Sequence, residues 1–176
     1  MSGAAPILRV APPGAHDPRL RALLDACFPG AFPEQDFYKQ QPHLRILAEA
    51  GGALVGQVGL DFRAVRAGAR IVPILGIVDL CVAETARGAG LGAALLREAE
   101  RQAGGRPFGL LFADDPRLYE RHGWARLPAA FARFLAIDRL RCHSVMERDV
   151  SQELMVKPFG PDPWPAGEID FLGPIF

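Results

Sequence analysis

The segment that most restricts the fold begins with Ile71 to Val82, an apolar run rich in β-branched side chains, and continues into Ala86-Arg87-Gly88-Ala89-Gly90-Leu91-Gly92-Ala93. The first part reads as a central strand. From Leu91 onward, apolar Leu91, Ala94, Leu95, Ala99 and Ala103 alternate with Arg97, Glu98, Glu100 and Arg101 at helical spacing, and Gly104-Gly105 ends the pattern. A strand therefore runs through a glycine loop into an amphipathic helix whose N-terminus lies inside the loop. Amide N–H groups exposed beside the positive end of a helix dipole suit anionic oxygens. An ordinary strand-to-helix turn is the alternative, since glycine also permits tight turns without any ligand.

The flanks place this unit in a mixed chain. Ile7 to Val10 reads as a strand, and His16 to Phe28 as a helix opened by Asp17-Pro18, with Leu20, Leu23, Leu24 and Cys27 at helical spacing. Phe32 to Tyr38 is expected to form a second short helix. Leu44 to Ala50 and Ala53 to Phe62 read as strands joined by Gly51-Gly52, and Ala67-Gly68 gives another turn. Phe108 to Ala113 is a short buried strand; a helix from Asp115-Pro116 to about His122 follows and is closed by Gly123. Phe131 to Ile137 and Gln152 to Val156 are the last expected strands.

Composition excludes several function classes. In 176 residues that are 49% hydrophobic, one domain spanning 1–176 is expected, with 160–176 as a packed C-terminal tail. Twenty basic residues balance twenty acidic ones, which disfavours nucleic acid as a partner. Arginine dominates the bases, with Lys39 and Lys157 the two lysines, a codon bias that suggests a GC-rich bacterial genome. Cys27, Cys81 and Cys142 form neither a disulfide framework nor a zinc pattern, so no metal is expected. Pro73 and Asp79 interrupt the longest apolar run, and the N-terminus lacks a signal sequence, so a cytoplasmic protein with no membrane partner is expected.

Three phosphate-loop patterns compete for the glycines. A Walker loop needs Gly-Lys-Ser/Thr, but Gly92 is followed by Ala93-Ala94. A dinucleotide fingerprint could be forced as Gly88-x-Gly90-x-x-Ala93, yet that motif opens the first βαβ unit of its fold and here several strands come earlier. The third pattern fits throughout: Leu80-Cys81-Val82, the connector Ala83 to Ala86, then Arg87-x-x-Gly90-x-Gly92, and further on Leu118-Tyr119-x-x-x-Gly123-Trp124. On these two motifs and their separation the chain resembles the GNAT superfamily of N-acetyltransferases.

The resemblance implies an α/β (α+β) fold, with a mixed, mostly antiparallel central sheet splayed between strands 4 and 5 and flanked by helices. It implies acetyl-CoA as co-substrate and a small-molecule amine as acceptor; a homodimer is left open. Carried over, the main chain of Leu80, Cys81 and Val82 would bond pantetheine, and Arg87, Gly88, Ala89, Gly90, Leu91 and Gly92 would cradle the diphosphate. A Cβ at Gly90 or Gly92 would collide with phosphate, and the Leu80 N–H would donate to the acetyl carbonyl. The Arg87 side chain would either add charge there, sit in a surface ion pair with Glu84 or be a solvated surface group. Tyr119 matches the family's general acid; its alternative is a buried phenol that only hydrogen-bonds a neighbour.

The general base is less well marked. Relatives often carry Glu or His at the position of Val78, and this chain does not. Asp79 is the candidate beside it, although a two-residue period would turn it to the other face of the strand, and its alternative is structural hydrogen bonding at a strand edge. Asp114 and Asp115 follow the next strand and would border the cleft, with Asp115 before Pro116 better suited to capping a helix than to catalysis. His122 and His143 read as surface or packing residues. With no fixed base, proton loss through ordered water would serve.

The segment Asp162 to Phe176, DPWPAGEIDFLGPIF, is too apolar for a disordered tail. It resembles the end of nodulation acyltransferases (Trp-Pro-Ala-Gly, then Ile-Asp and Gly-Pro) and, more faintly, that of aminoglycoside 2'-N-acetyltransferases. This resemblance implies an aminosugar acceptor, and Glu168, Asp170 and the Phe176 carboxylate would attract its amine; otherwise Trp164 and Phe171 simply cover a sheet face. Two other functions stay open: a long-chain acyltransferase served by an acyl carrier protein, and a non-catalytic sensor of coenzyme A.

Overall fold

A computed structural model describes residues 5–32, 35–37, 39–128, 130–138 and 141–176. Its elements are β1 (Ile7–Ala11), α1 (Pro18–Cys27), β2 (Leu44–Ala50), β3 (Ala53–Ala67), β4 (Arg70–Val82), α2 (Leu91–Arg101), β5 (Phe108–Phe112), α3 (Arg117–Glu120), β6 (Ala125–Arg126), β7 (Phe131–Asp138), β8 (Arg141–Asp149), β9 (Leu154–Pro158) and β10 (Ile169–Asp170). The architecture is α+β, a many-stranded mixed sheet with few helices. Two compact units divide it: residues up to Asp61 with Ile77–Gln102, and Phe62–Gly76 with Ala103–Phe176.

In the first unit β1 pairs antiparallel with β2, and β2 antiparallel with the first part of β3. Asp17 caps α1 by accepting the Arg19 N–H at 3.0 Å, an interaction typically worth about 1 kcal/mol. Leu20, Leu23 and Leu24 of that helix pack with Phe32, Leu47, Leu54 and Cys81. Helix α2 lies against the sheet where Gly56 leaves room: a Cβ there would stand 3.1 Å from Leu95 Cδ1 and 3.5 Å from Leu91 Cδ2. The expected helix over Phe32 to Tyr38 is absent from the described residues 32 and 35–37; Pro33, Glu34 and Tyr38 lie outside the described residues. Side chains take the carbonyls that a helix would use, with Arg45 Nη2 donating to Asp36 O at 2.5 Å and Gln35 Nε2 to Phe37 O at 2.7 Å.

The sheet runs in the order β6-β9-β5-β4-β3-β10-β7-β8, and the second unit takes in the later part of β3 and the earlier part of β4. The two-residue β10 is antiparallel to β3 and parallel to β7, so the end of the chain is a strand of the sheet. Ile169 and Phe171 are fully buried, and Trp164 and Phe176 pack against the same core. Arg63 binds this segment by donating to Pro174 O at 2.7 Å and Phe171 O at 3.0 Å. Asp170 is paired with Arg66 at 2.7 Å and Arg133 at 3.6 Å, so its charge is already compensated. Strand β8 was unmarked in the sequence because Arg141-Cys142-His143-Ser144 and Glu147-Arg148-Asp149 are polar, and in the structure it is exposed along nearly its whole length.

Candidate active site

The first unit brings together the end of β4 and the glycine loop. A turn of 3-10 helix, Glu84–Ala86, follows β4, and Arg87 is extended. Gly88 has φ +81° and Gly90, the N-cap of α2, has φ +78°. This left-handed backbone disfavours any residue with a Cβ. A Cβ placed at either glycine would find no protein atom within 4 Å beyond its chain neighbours, so the loop is open on the sides to which these positions point. The first intrahelical bond runs from Ala94 N to Gly90 O at 3.0 Å, which leaves the N–H groups of Leu91, Gly92 and Ala93 without an intrahelical acceptor. No acidic residue sits in that first turn to offset the dipole.

Around this loop, Ala89 is exposed, Leu91 is buried against Gly56, and Gly92 is half-buried. Arg87 makes neither the expected ion pair with Glu84 nor a purely solvated arrangement: its Nε donates to Val82 O at 3.0 Å. Leu80 and Val82 are half-buried; Cys81 is buried in the apolar cluster under α1, and burial pushes its thiol well above the ordinary range.

Asp79 lies where strand alternation fails. Directly opposed residues in an antiparallel pair share a face, so Arg45 and Leu47 share one with Gly59 and Gln57. Val78 is on that face, its Cγ2 2.6 Å from where a Gly59 Cβ would stand. Cys81 is there too, packed with Leu47. Residues three apart cannot share a face in a regular strand. Asp79, with φ +52°, supplies the extra residue as a bulge. The two-residue period used to place Asp79 on the opposite face therefore does not hold across it, and its electrostatic neighbours are Arg45 and Asp61. Burial pushes the Asp79 carboxyl up to about 6, the Arg45 charge pulls it down, and Asp61 adds to the rise.

A buried polar network surrounds Asp79, and sequence reasoning missed it. Arg45 is 7% exposed, Gln57 0% and Asp61 1%. Arg45 Nη1 donates to Gln57 Oε1 at 3.0 Å, and Gln57 Nε2 donates to the Asp79 carbonyl. Asp61 accepts from Gln40 Nε2 at 2.8 Å and lies 3.3 Å from His43 Nδ1. Arg45 in Leu44–Ala50 and Gln57 and Asp61 in Ala53–Ala67 were the available signal, since strands otherwise so apolar there have little reason to carry them.

Tyr119 belongs to the second unit. The expected helix to His122 is cut to four residues, with His122 N and Trp124 N both bonded to Tyr119 O and Gly123 at φ +81° closing the turn. Trp124 is buried and lies across Gly109, its Cη2 2.5 Å from where a Cβ would be. The Tyr119 ring meets Trp124 edge-on at 6.4 Å, and Trp124 meets Phe159 at 6.4 Å. Burial, helped by the Asp115 charge, pushes the Tyr119 phenol up to about 12, so it keeps its proton at neutral pH. Asp115 accepts from the Arg117 N–H at 3.1 Å and its carboxylate pairs with the Arg117 guanidinium, but the N-cap position of α3 falls to Pro116, so Asp115 precedes the cap instead of forming it. His122 Nδ1 lies 2.8 Å from Leu118 O, a packing role. Among the described residues no group of three or more His, Cys, Asp or Glu could hold a metal ion, and no helix is long and apolar enough to cross a membrane.

Comparison with known proteins agrees with this fold. No curated protein matches the sequence. The fold resembles that of the Escherichia coli GNAT family N-acetyltransferase YhbS, solved in complex with CoA (TM-score 0.68, 20% identity, 95% of this chain and 89% of that one). It also resembles a Brucella melitensis GNAT family acetyltransferase solved with acetyl-CoA (TM-score 0.57, 19% identity, 93% and 94%) and the IAA acetyltransferase of Bacillus cereus (TM-score 0.57, 18% identity, 88% and 100%). Residues 18–124 match the family described as Acetyltransferase (GNAT) family, a span that holds the glycine loop, Asp79 and Tyr119. The chain belongs to the GNAT acetyltransferase family.

Proposed function

We propose that the protein is an N-acetyltransferase that moves the acetyl group of acetyl-CoA to a primary amine of a small molecule by direct attack. The observation that carries this reading is the open loop at α2: left-handed Gly88 and Gly90 face no protein atom, and the helix N-terminus behind them has no acid in its first turn. Such a cradle fits a diphosphate, bound by the amides from Gly88 to Gly92 with charge from Arg87. The main chain of Leu80, Cys81 and Val82 then takes the pantetheine arm, and the Leu80 N–H polarises the thioester carbonyl.

Transfer forms the N–C bond and breaks the C–S bond, so one proton leaves the acceptor nitrogen and another reaches the thiolate. Asp79 suits the first task, because a carboxyl near 6 is ionised at neutral pH and can accept the proton that a neutral amine sheds as it attacks. Tyr119 suits the second, as a neutral phenol that holds its proton until the thiolate develops. An aminosugar is the acceptor class that the tail sequence favours.

The test is thiol release from acetyl-CoA with a panel of primary amines that includes aminosugars. Tyr119→Phe is expected to lower kcat by about a hundredfold with acetyl-CoA binding unchanged. An unchanged rate would remove Tyr119 from the acid role, and absence of thiol release with every amine would reject the transferase reading.

A further inference from the structure

We propose that Gln57, oriented by Arg45, is a positioning residue for the reaction: it pins the β4 bulge that presents Asp79 and the Leu80 N–H. The proposal rests on the role given to Asp79 above. Its ground is the bond chain Arg45 Nη1 to Gln57 Oε1 at 3.0 Å and Gln57 Nε2 to Asp79 O, on side chains that are buried.

The chemistry of the two ends dictates the residue between them. A guanidinium only donates, and a backbone carbonyl only accepts. The bridging side chain must accept at one end and donate at the other, which an amide does in one orientation: oxygen to Arg45, nitrogen to Asp79. The carbonyl so held belongs to the residue at φ +52°, a conformation that costs a non-glycine residue energy and persists only where its surroundings hold it. Fixing that carbonyl fixes its peptide plane, and the other end of the plane is the Leu80 N–H. One side chain thereby sets two groups of the reaction, a carboxylate and an amide donor.

Asp61 supplies the same face with a buried carboxylate, which accepts from Gln40 and lies beside His43. The charged and titratable groups around Asp79 are Arg45 on β2, Asp61 on β3, Cys81 on β4 and, through Arg45, Asp36.

Gln57→Glu separates positioning from filling. It keeps the volume and the Arg45 bond, yet while ionised it turns an acceptor oxygen toward the Asp79 carbonyl and adds a negative charge beside Asp79. In the full-length chain near neutral pH, kcat is expected to fall about tenfold while the Kd for CoA stays within about threefold. The acidic limb of the rate profile, expected near pH 6 in the wild type, should move up by about half a unit or more. Wild-type turnover with an unmoved limb overturns the proposal, and so does a loss of turnover with an unmoved limb, which marks a merely structural role. If Gln57→Glu fails to fold, Gln57→Met decides: about tenfold lower kcat at retained CoA affinity supports the proposal, and wild-type kcat overturns it. Titration of the Asp79 carboxyl carbon by NMR needs no substrate. A midpoint that shifts in Gln57→Glu in a protein that transfers no acetyl would keep the coupling and reject the transferase reading; an unshifted midpoint in an active enzyme would do the reverse.

Discussion

Asp79 and Asp115 are both aspartates near strand ends, and their surroundings drive them in opposite directions. Asp115 is exposed, and hydrogen bonds from Arg117 hold its carboxyl down at about 2. It is ionised at every physiological pH and too weak a base to take a proton from an ammonium. Asp79 is largely removed from water, shares a single guanidinium with Asp61 and Asp36, and titrates near 6. Solvent and counter-charge are distributed differently around the two, which suits Asp79 to the proposed base role and leaves Asp115 a partner of Arg117. A perturbed carboxyl at a strained backbone position is what a functional group looks like; a salt-bridged carboxyl at a helix start is what a scaffold looks like.

The comparison predicts a graded set of mutant effects. Asp79→Asn should be the most damaging, lowering kcat by about a hundredfold through loss of the base. The same variant should gain stability. The folded chain holds the Asp79 proton up to about pH 6, whereas an unfolded aspartate loses it near 3.8, so the folded state binds more protons in that window and stability falls as pH rises through it. Chemical denaturation at neutral pH should therefore show Asp79→Asn more stable by about 1–3 kcal/mol, with the gain vanishing below the lower value. A variant that loses both activity and stability would mean that Asp79 holds the fold.

Next in size is Gly59→Ala, whose Cβ would meet Val78 Cγ2 at 2.6 Å and Pro42 Cγ at 2.8 Å beside the bulge. Overpacking there should cost about 1–3 kcal/mol in denaturant titrations, without changing any charge. Smallest is Asp115→Asn, which should leave kcat within about threefold, because exposed ion pairs contribute little and an asparagine still accepts the Arg117 N–H. A large loss in that variant would erase the distinction between the two aspartates.

How much of this was legible in the sequence depended on how local each signal was. Gly88 and Gly90 announced a special backbone because the requirement lies in the residue itself, and Leu118-Tyr119 through Gly123-Trp124 could be matched as a short contiguous pattern. Asp79 was visible as a residue but not as a break in strand alternation: the bulge is tied to Gln57 on the neighbouring strand β3 and, through it, to Arg45 on β2, and no local pattern encodes those bonds. Gly59 and Gly109 looked like ordinary strand glycines, yet each faces a bulky side chain that only folding brings there, Val78 in one case and Trp124 in the other. The supposed helix after Phe32 failed for a similar reason, since the Asp36 carbonyl is taken by a guanidinium from β2. Strand β8 escaped because a strand so exposed carries almost no apolar alternation.

Calorimetric titration of acetyl-CoA into the wild type, Gly90→Ala and Asp115→Asn tests the central claim most directly. The account predicts saturable heat in the wild type, an equal response in Asp115→Asn, and at least about tenfold weaker binding in Gly90→Ala, where a Cβ enters the cradle at φ +78°. Absence of heat in the wild type, or undiminished binding in Gly90→Ala, would contradict it.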